Sequence, residues 1–571
     1  MITSTALPKR RWDASFANDM SEEAVDQLLT VPPFREMNPE SFPKHLPLRG
    51  ILRHDSRVRK YRDGEIVVRQ GDYGNSAFLI LSGSVRVVLK PELPSTMLGR
   101  RETQKKSIFR AIAQLWSNPD QPEVRRGVES VTEGALDARQ DKSGEVRVFL
   151  QDVPRILGKH QTATLHAGEF FGEISALGRI PRTATIFSEG SAELLEIRWQ
   201  GLRDILRYDS SLREHVDHIY RERALASHLR SLKLFQYLDD RGLARVTAET
   251  QFVTFGDYEW SGEYKRLLKS GSKAAPEPVI LKEGDYADGI LLIRAGFARV
   301  SQRFGNGQRT TTYLGCGQSY GLDEIVHNWK KSEDLMPLQC TVSALGYAHA
   351  LVIPTAVIEQ VVLPSVPAKQ LAAFVSNRAV AKKPDGEPTT TDPSVPQAMM
   401  EFLAEHRFFN GTKTMLIDLE ACTRCDDCVR ACASTHENNP RFLRHGPING
   451  NVMVANACMH CADPVCLIGC PTGAIHRNAA QGEVVINPVT CIGCQACANN
   501  CPYEAIRMVQ IRNERGELLV DNQIRPLLKA TKCDLCLEQY GGPACVRACP
   551  HDALVRMDMG DMGKFAAWLK R

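Results

Sequence analysis

The spacing of hydrophobic positions divides the chain into stretches of different period. After a polar tail at 1–22 with no assignable role, a helical pattern runs from Glu23 through Leu28 and Leu29 towards Pro32-Pro33-Phe34. The period then shortens. Arg62-Asp-Gly-Glu-Ile-Val-Val-Arg69, the turn Gly71-Asp-Tyr73 and the apolar run 77–89 read as short strands broken by glycine turns. Such a pattern predicts an antiparallel sandwich or barrel. Residues 91–146 interrupt it. Ile108, Phe109, Ile112, Leu115 and Trp116 fit one short amphipathic helix beside Arg100, Arg101, Lys105, Lys106 and Arg110. This stretch is expected to be a solvated insertion packed on its host. The strand pattern resumes at Arg147, and 198–232 is helical from Trp199 onward.

The pattern then repeats. Residues 283–300, beginning Glu283-Gly-Asp-Tyr286, align without a gap on residues 70–87, beginning Gln70-Gly-Asp-Tyr73. A repeat of this length predicts a second copy of the first element, over 233–366. Residues 379–397 carry four prolines and read as a semi-stiff linker. A short helix at 398–408 and a strand at 414–419 follow. The expected division is therefore a tail at 1–22, a β domain at 23–232 with its insertion at about 91–146, a second β domain at 233–366, a linker at 367–404 and a last domain at 405–571.

Composition narrows the function. A length of 571 residues suits about three or four domains. Apolar content of 43% and charged content of 24% are globular values. A net charge of +4 is too mild to argue for nucleic acid. No run approaches the length of a membrane span. Lys9, Arg10 and Arg11 are followed by polar and acidic residues where a signal peptide needs its apolar core, so a cytoplasmic location is expected.

The cysteines carry the chemistry. Sixteen of the 18 fall between 422 and 549, in four groups: Cys422, Cys425, Cys428, Cys432; Cys458, Cys461, Cys466, Cys470; Cys491, Cys494, Cys497, Cys501; and Cys533, Cys536, Cys545, Cys549. The first and third match the run C-x2-C-x2-C-x3-C, and Pro471, Pro502 and Pro550 follow the last cysteine of the second, third and fourth quartets. Three thiolates on one tight loop grip three corners of a cubane, while the fourth starts a helix leading away, where proline is tolerated. Four cysteines per cluster predicts four [4Fe–4S] clusters. Structural zinc usually appears as paired C-x2-C or Cys/His sets. A disulfide framework belongs to small secreted chains.

Residues 412–557 resemble the four-cluster ferredoxin subunits that serve molybdopterin oxidoreductases and related hydrogenase and formate systems. The text that carries this includes Cys458-Met-His-Cys-Ala-Asp-Pro-Val-Cys466, Cys491-Ile-Gly-Cys494, Asn500-Cys-Pro-Tyr503 and Lys532-Cys-Asp-Leu-Cys536. The resemblance implies crossed ligation. Cys422, Cys425 and Cys428 would act with Cys549; Cys533, Cys536 and Cys545 with Cys432; Cys458, Cys461 and Cys466 with Cys501; and Cys491, Cys494 and Cys497 with Cys470. Spacing alone gives the number of clusters and not this pairing. Ala433 stands where a proline is common, which removes no ligand. His436, His460 and His551 lie beside cysteines and are expected to hydrogen-bond or face solvent, because every cluster already has four thiolates.

A second constellation is Gly168-Glu-Phe-Phe-Gly172-Glu173-Ile174-Ser175, followed by Pro181-Arg182-Thr183-Ala184-Thr185. It resembles the phosphate-binding cassette of cyclic-nucleotide-binding domains, the jelly rolls of catabolite activators, cyclic-nucleotide-dependent kinases and gated channels. The resemblance implies a pocket made by Gly172, Glu173, Ile174, Ser175, Arg182 and Thr183. Arg182 would make a charge-assisted contact with the cyclic phosphate, Glu173 would accept from the ribose 2′-OH, and backbone N–H groups near Gly172 would face the anion. Thr183 sits where a hydroxyl can favour guanine, and the ligand is left as cAMP or cGMP. In the repeat, Gly321 matches Gly172, but Leu322 falls at Glu173 and Leu338 at Arg182. The second copy is therefore expected not to bind a nucleotide. Its Cys316 and Cys340 are expected to be buried and inert.

The fold class predicted is multidomain α+β: two β jelly rolls with covering helices, then a ferredoxin-type iron–sulfur domain. The chain has no Rossmann fingerprint, nucleophile elbow or Walker loop. Two functions compete. One is an electron carrier for a flavoprotein or molybdopterin oxidoreductase, gated by nucleotide. The other is a cyclic-nucleotide and redox sensor with a regulatory output. The second roll occupies the position where activators carry a helix-turn-helix, so direct DNA binding is not expected.

Overall fold

The computed structural model of the chain describes residues 12, 16, 20–91, 93–98, 100, 106–107, 109, 113–114, 121–125, 137–140, 146–150, 153–178, 181–221, 225–256, 260–270, 277–305, 307–331, 334–371, 395–478, 482–520 and 524–571. Most of the polar tail, much of the insertion, and residues 372–394 of the expected linker lie outside this set. The chain forms two compact units. The first comprises Met1–Glu102, Ser130–Tyr220 and Leu467–Arg477; the second comprises Thr103–Glu129, Arg221–Cys466 and Asn478–Arg571.

The first unit holds a jelly roll. Its strands are β1 (Ser56–Tyr61), β2 (Ile66–Val68), β3 (Ser76–Lys90), β4 (Asp137–Gln140), β5 (Val146–Phe149), β6 (Gln161–His166), β7 (Phe170–Phe171) and β8 (Thr185–Arg198). Six of them form one antiparallel sheet in the order β1-β8-β3-β6, with β2 on β8 and β7 on β3, while β4 and β5 make a separate antiparallel pair. The first five residues of β3, Ser76–Ile80, are buried on both faces. Phe78 and Ile80 join Val85, Phe171, Ile186 and Leu194 inside the roll. Ala77 and Leu79 turn the other way, onto a cluster with Ile51, Leu52, Leu202, Ile205 and Val216. The period of two in the strand thus assigns alternate residues to the barrel and to the helices Leu48–Asp55, Trp199–Tyr208 and Ser210–Tyr220. The helix Glu22–Leu28 is capped by Ser21, whose side chain accepts from Ala24 N at 3.2 Å.

The second unit begins its own roll with β9 (Gln251–Gly256), β10 (Val279–Leu281), β11 (Gly289–Phe304), β12 (Gly307–Leu314), β13 (Ser319–Tyr320) and β14 (Thr341–Pro354). The order is β10-β14-β11-β12. The sequence repeat is also a repeat of irregularity. The β3–β8 ladder slips between Ile80 and Ser82 and again before Ser84, and the β11–β14 ladder slips between Ile293 and Ala295 and again before Ala298. Gly83 and Gly296 occupy the same position in these two bulges, with φ of 79° and 78°. A Cβ there would lie 2.3 Å from the Ser191 oxygen in one roll and 2.1 Å from the Tyr347 oxygen in the other, so each bulge demands glycine.

The ferredoxin part of this unit is built on β15 (Thr414–Asp418), paired with β17 (Val452–Val454) on one side and β22 (Leu554–Met557) on the other; β16 (Ile448–Asn449) extends β17. The remaining strands are β18 (Ile475–Arg477), which falls in the first unit, β19 (Val484–Ile486), and the pair β20 (Arg507–Gln510) and β21 (Leu528–Thr531). The second roll is its platform. Glu401, on the helix Gln397–Glu405, accepts from Thr310 Oγ1 at 2.8 Å and pairs with Arg299 at 3.3 Å. Tyr313 donates to the Met400 oxygen at 2.9 Å and stacks on Phe409 at 5.1 Å.

The insertion departs from expectation. Its opening residues Leu93 and Leu98 do pack on the host roll, against Ile66, Val88, Val148 and Phe187. Its middle does not. Lys106 N donates to the Glu538 oxygen at 2.7 Å, Gln114 Nε2 to the Thr435 oxygen at 3.1 Å, and Val124 bridges Arg512 in parallel. The backbone of residues 123–125 finds its partners among the iron–sulfur residues, and that decides where the segment goes.

Candidate nucleotide pocket and cysteine centres

In the first roll, the short β7 ends at Gly172, whose φ of 82° turns the chain into the helix Glu173–Gly178. Arg182 returns from the loop that follows, just before β8. Its guanidinium donates to the Gly172 oxygen and to the Ser76 oxygen, both at 2.7 Å, and lies 5.8 Å from the centre of the Phe78 ring. Arg182, Glu173 and Ser175 are buried, and Ser175 Oγ donates to the Pro181 oxygen at 3.4 Å. Gly172, Glu173, Ser175 and Arg182 are thus gathered in one place, while Thr183 is exposed. An anion entering here would take over the two guanidinium contacts now made to backbone carbonyls.

Gly74 belongs to this pocket and was not singled out from the sequence. A Cβ on it would meet Arg182 Nη2 at 2.1 Å. The signal lay in the repeat: Gly74 aligns with Ala287 in the second roll, and there the arginine position is Leu338. A side chain is tolerated at the first position where the guanidinium is gone from the second. Leu338 is buried in the interior of the second roll with Leu291, Ile293, Tyr320 and Val342, and Ala287 packs against the same cluster.

The strap before β3 ties the pocket to an iron–sulfur residue within the first unit. Gly71 N donates to the Arg182 oxygen at 2.7 Å, and Arg182 N to the Asp72 oxygen at 2.8 Å. Asp72 pairs with Arg69 at 3.5 Å and with Arg100 at 3.1 Å. Arg69, itself buried, donates to the Pro471 oxygen at 3.1 Å, the residue after Cys470.

In the second unit, cysteines from distant groups meet. A small cavity is lined by Cys422, Cys425, Cys428 and Cys549, with Arg444 and His551 beside them. Cys461 and Cys466 lie within electrostatic reach of Cys458 and Cys501. Cys545 lies within reach of Cys533, Cys536 and Cys432. These three sets are the crossed ones. The fourth expected set is divided between the units, Cys470 in the first and Cys491, Cys494 and Cys497 in the second.

The surroundings of the sulfurs suit a bound cluster. N–H donors point at them: Arg441 N at Cys432 Sγ at 3.2 Å, Ala553 N at Cys549 Sγ at 3.3 Å and Ala544 N at Cys536 Sγ at 3.5 Å. The half-buried Arg556 donates to Cys533 Sγ at 3.0 Å and to the Cys458 oxygen at 3.3 Å, touching two sets at once. Burial pushes the Cys428 thiol up to about 11 and the Cys545 thiol up to about 12. Thiols left alone there keep their protons, and a bound cation displaces them. His436 Nε2 lies 2.9 Å from Asp534 and its Nδ1 lies 3.7 Å from Cys432 Sγ. His460 Nδ1 accepts from Val484 N at 3.1 Å. The free Cys340 is half-buried and Cys316 is exposed, donating to the Arg294 oxygen at 2.9 Å. Cys316 thus lies at the surface rather than in the interior expected for it.

The fold and sites define a ferredoxin-type iron–sulfur protein that carries cyclic-nucleotide-binding domains. Residues 450–559 match the family described as 4Fe-4S dicluster domain, and residues 142–209 and 273–364 match the cyclic nucleotide-binding domain family. Electron transport protein HydN of Escherichia coli K12 is 34% identical over 170 residues, 28% of this chain and 94% of that relative. A component of the anaerobic dimethyl sulfoxide reductase of Haemophilus influenzae is 35% identical over 158 residues, 24% of this chain and 69% of that relative. The chain belongs to the family of ferredoxin-like iron–sulfur electron-transport proteins. Among solved structures, the cAMP-bound regulatory domain of Toxoplasma gondii PKA is 14% identical, covering 63% of this chain and 98% of that one, with a TM-score of 0.22, which adds nothing to the fold described above. Among the described residues, no helix is long and apolar enough to cross a membrane.

Proposed function

We propose that this protein is a four-cluster electron carrier whose transfer is gated by a cyclic nucleotide bound in the first roll. The clusters, held by Cys422, Cys425, Cys428 with Cys549; Cys458, Cys461, Cys466 with Cys501; Cys533, Cys536, Cys545 with Cys432; and Cys491, Cys494, Cys497 with Cys470, supply one-electron transfer when bound. The chain's own residues hold the thiolates and exclude water from them. They also aim N–H groups and the Arg556 guanidinium at sulfur, which favours the reduced state. Cys425 and Cys494 are exposed, which suits entry and exit of electrons at those two sites. The catalytic partner is a flavoprotein or molybdopterin oxidoreductase in the cytoplasm, where a reducing milieu preserves thiolates. In the first roll, Arg182 and Glu173 receive cAMP or cGMP, with Gly172, Ile174, Ser175 and Thr183 around the ligand.

The observation that supports gating is the shared first unit. The strap bonded to Arg182 also carries Arg69, and Arg69 holds the oxygen of Pro471 beside Cys470. A nucleotide shifts the redox side only if it binds two arrangements of this strap with different affinity. The test is an anaerobic preparation of the whole chain with iron counted and each midpoint potential followed by electron paramagnetic resonance, with and without saturating cAMP or cGMP. About sixteen irons per chain and a nucleotide-dependent potential or partner transfer rate are expected. Nucleotide binding that leaves both potentials and transfer rate unchanged would end the gating reading while leaving the carrier intact. Iron for only two clusters would end the count of four.

A further inference from the structure

The insertion brings a buried carboxylate, Glu123, into the second unit, where it shares Arg441 with Glu437. Glu123 is buried and has a left-handed backbone, φ 61°. Such a conformation costs free energy in a non-glycine residue and persists only where its surroundings hold it. Here they do. Glu123 N donates to the Glu437 oxygen at 3.0 Å, and its own oxygen accepts from Arg512 N at 3.0 Å. One carboxylate oxygen accepts from Arg441 Nη1 at 2.8 Å and from Asn439 Nδ2 at 2.7 Å, and the other from Arg125 Nε at 2.9 Å. Arg441 is the residue whose backbone N–H points at Cys432 Sγ. Burial alone would raise the Glu123 carboxyl, but the two guanidinium groups outweigh it and keep it ionised.

We propose that Glu123, carried on an excursion of the nucleotide-binding roll, is a positioning residue of the Cys432, Cys533, Cys536 and Cys545 centre that sets its reduction potential by neutralising Arg441. This rests on the reading that these four cysteines hold a cluster. Adding an electron to the centre is favoured by a cation nearby and disfavoured by an anion. Arg441, Arg125 and Arg507 are all drawn to this corner, and Arg507 is depressed by its own burial and then by Arg441. Arg441 also pairs with Glu437 at 2.9 Å, but that carboxylate is more exposed, so without Glu123 the positive charge is less fully compensated. A unit charge about 10 Å away, at an effective dielectric of about 20, changes a one-electron equilibrium roughly tenfold. That factor is about 59 mV.

The experiment is a redox titration of the full chain, monitored by electron paramagnetic resonance, on Glu123→Gln and on Arg441→Gln. One midpoint is expected to rise by about 59 mV in the first variant and to fall in the second, with the others unmoved and iron content as in the parent. A disturbance of packing alone does not reverse sign between the two. Unchanged midpoints in both, shifts in the same direction, or loss of one cluster from both would overturn the assignment. A parallel Cys432→Ser variant separates the two layers. If its spectrum and iron match the parent, the ligand reading has failed rather than the role of Glu123.

Discussion

Arg182 is held by two carbonyls and packs closely on Gly74. Removing a charged hydrogen-bond partner from a bound ligand costs about 2–5 kcal/mol, so Arg182→Ala should weaken cAMP or cGMP binding by at least about thirtyfold while iron content stays constant. Gly74→Ala touches no ligand, yet its Cβ would lie 2.1 Å from the guanidinium. It should weaken nucleotide binding by about tenfold or more, measured by calorimetry against the parent. Equal affinity would mean that Arg182 can be rehoused, and the pocket as described would be wrong. At this scale the cassette could be read from the sequence, because Glu173 and Arg182 keep a fixed spacing within one segment. Gly74, Arg69, Arg556 and Glu123 could not be found that way. Each acts on a residue far along the chain, and sequence spacing carries no information about such contacts.

The elements were legible where a local period governs them. Alternation in 77–89 became β3, the repeat at 283–300 became β11, and the short helix expected at 398–408 appears as Gln397–Glu405. The insertion was not. Its charges predicted a solvated face on the host, whereas its middle was placed by backbone hydrogen bonds with Arg512, Glu437 and Glu538, which leave no hydrophobic signature. The second roll makes a separate claim. Its arginine position is filled by Leu338 inside an apolar cluster. Leu338→Ala should therefore destabilise the protein by about 2–5 kcal/mol through lost burial and a cavity, seen as a lower Tm in the presence and absence of nucleotide alike. An effect on nucleotide stoichiometry instead would show that this roll binds ligand after all.

At the scale of the whole molecule, neither compact unit is a contiguous stretch of sequence. The first unit contains Leu467–Arg477 and the second contains Thr103–Glu129. Coupling should be severed without disturbing either site. Arg69→Met removes the hydrogen bond to Pro471 but leaves Arg182 and every cysteine in place. Nucleotide affinity and iron content should remain as in the parent, while any nucleotide-dependent change in potential shrinks towards zero. A full-sized response in this variant would direct attention to another route.

The exchange of segments also has a consequence during synthesis. Arg69 and its partner Pro471 are separated by 402 residues. At about 5–20 residues per second, the ribosome takes on the order of 20–80 s to travel between them. For that interval the emerging N-terminal roll lacks the strip of chain that completes its unit, and Glu123 and Arg125 lack Arg512, to whose backbone they bond. The strip Leu467–Arg477 joins the first unit only after the cysteine-rich region has emerged. A truncated chain ending before Leu467 should be conspicuously more sensitive to protease in its first half than the finished protein.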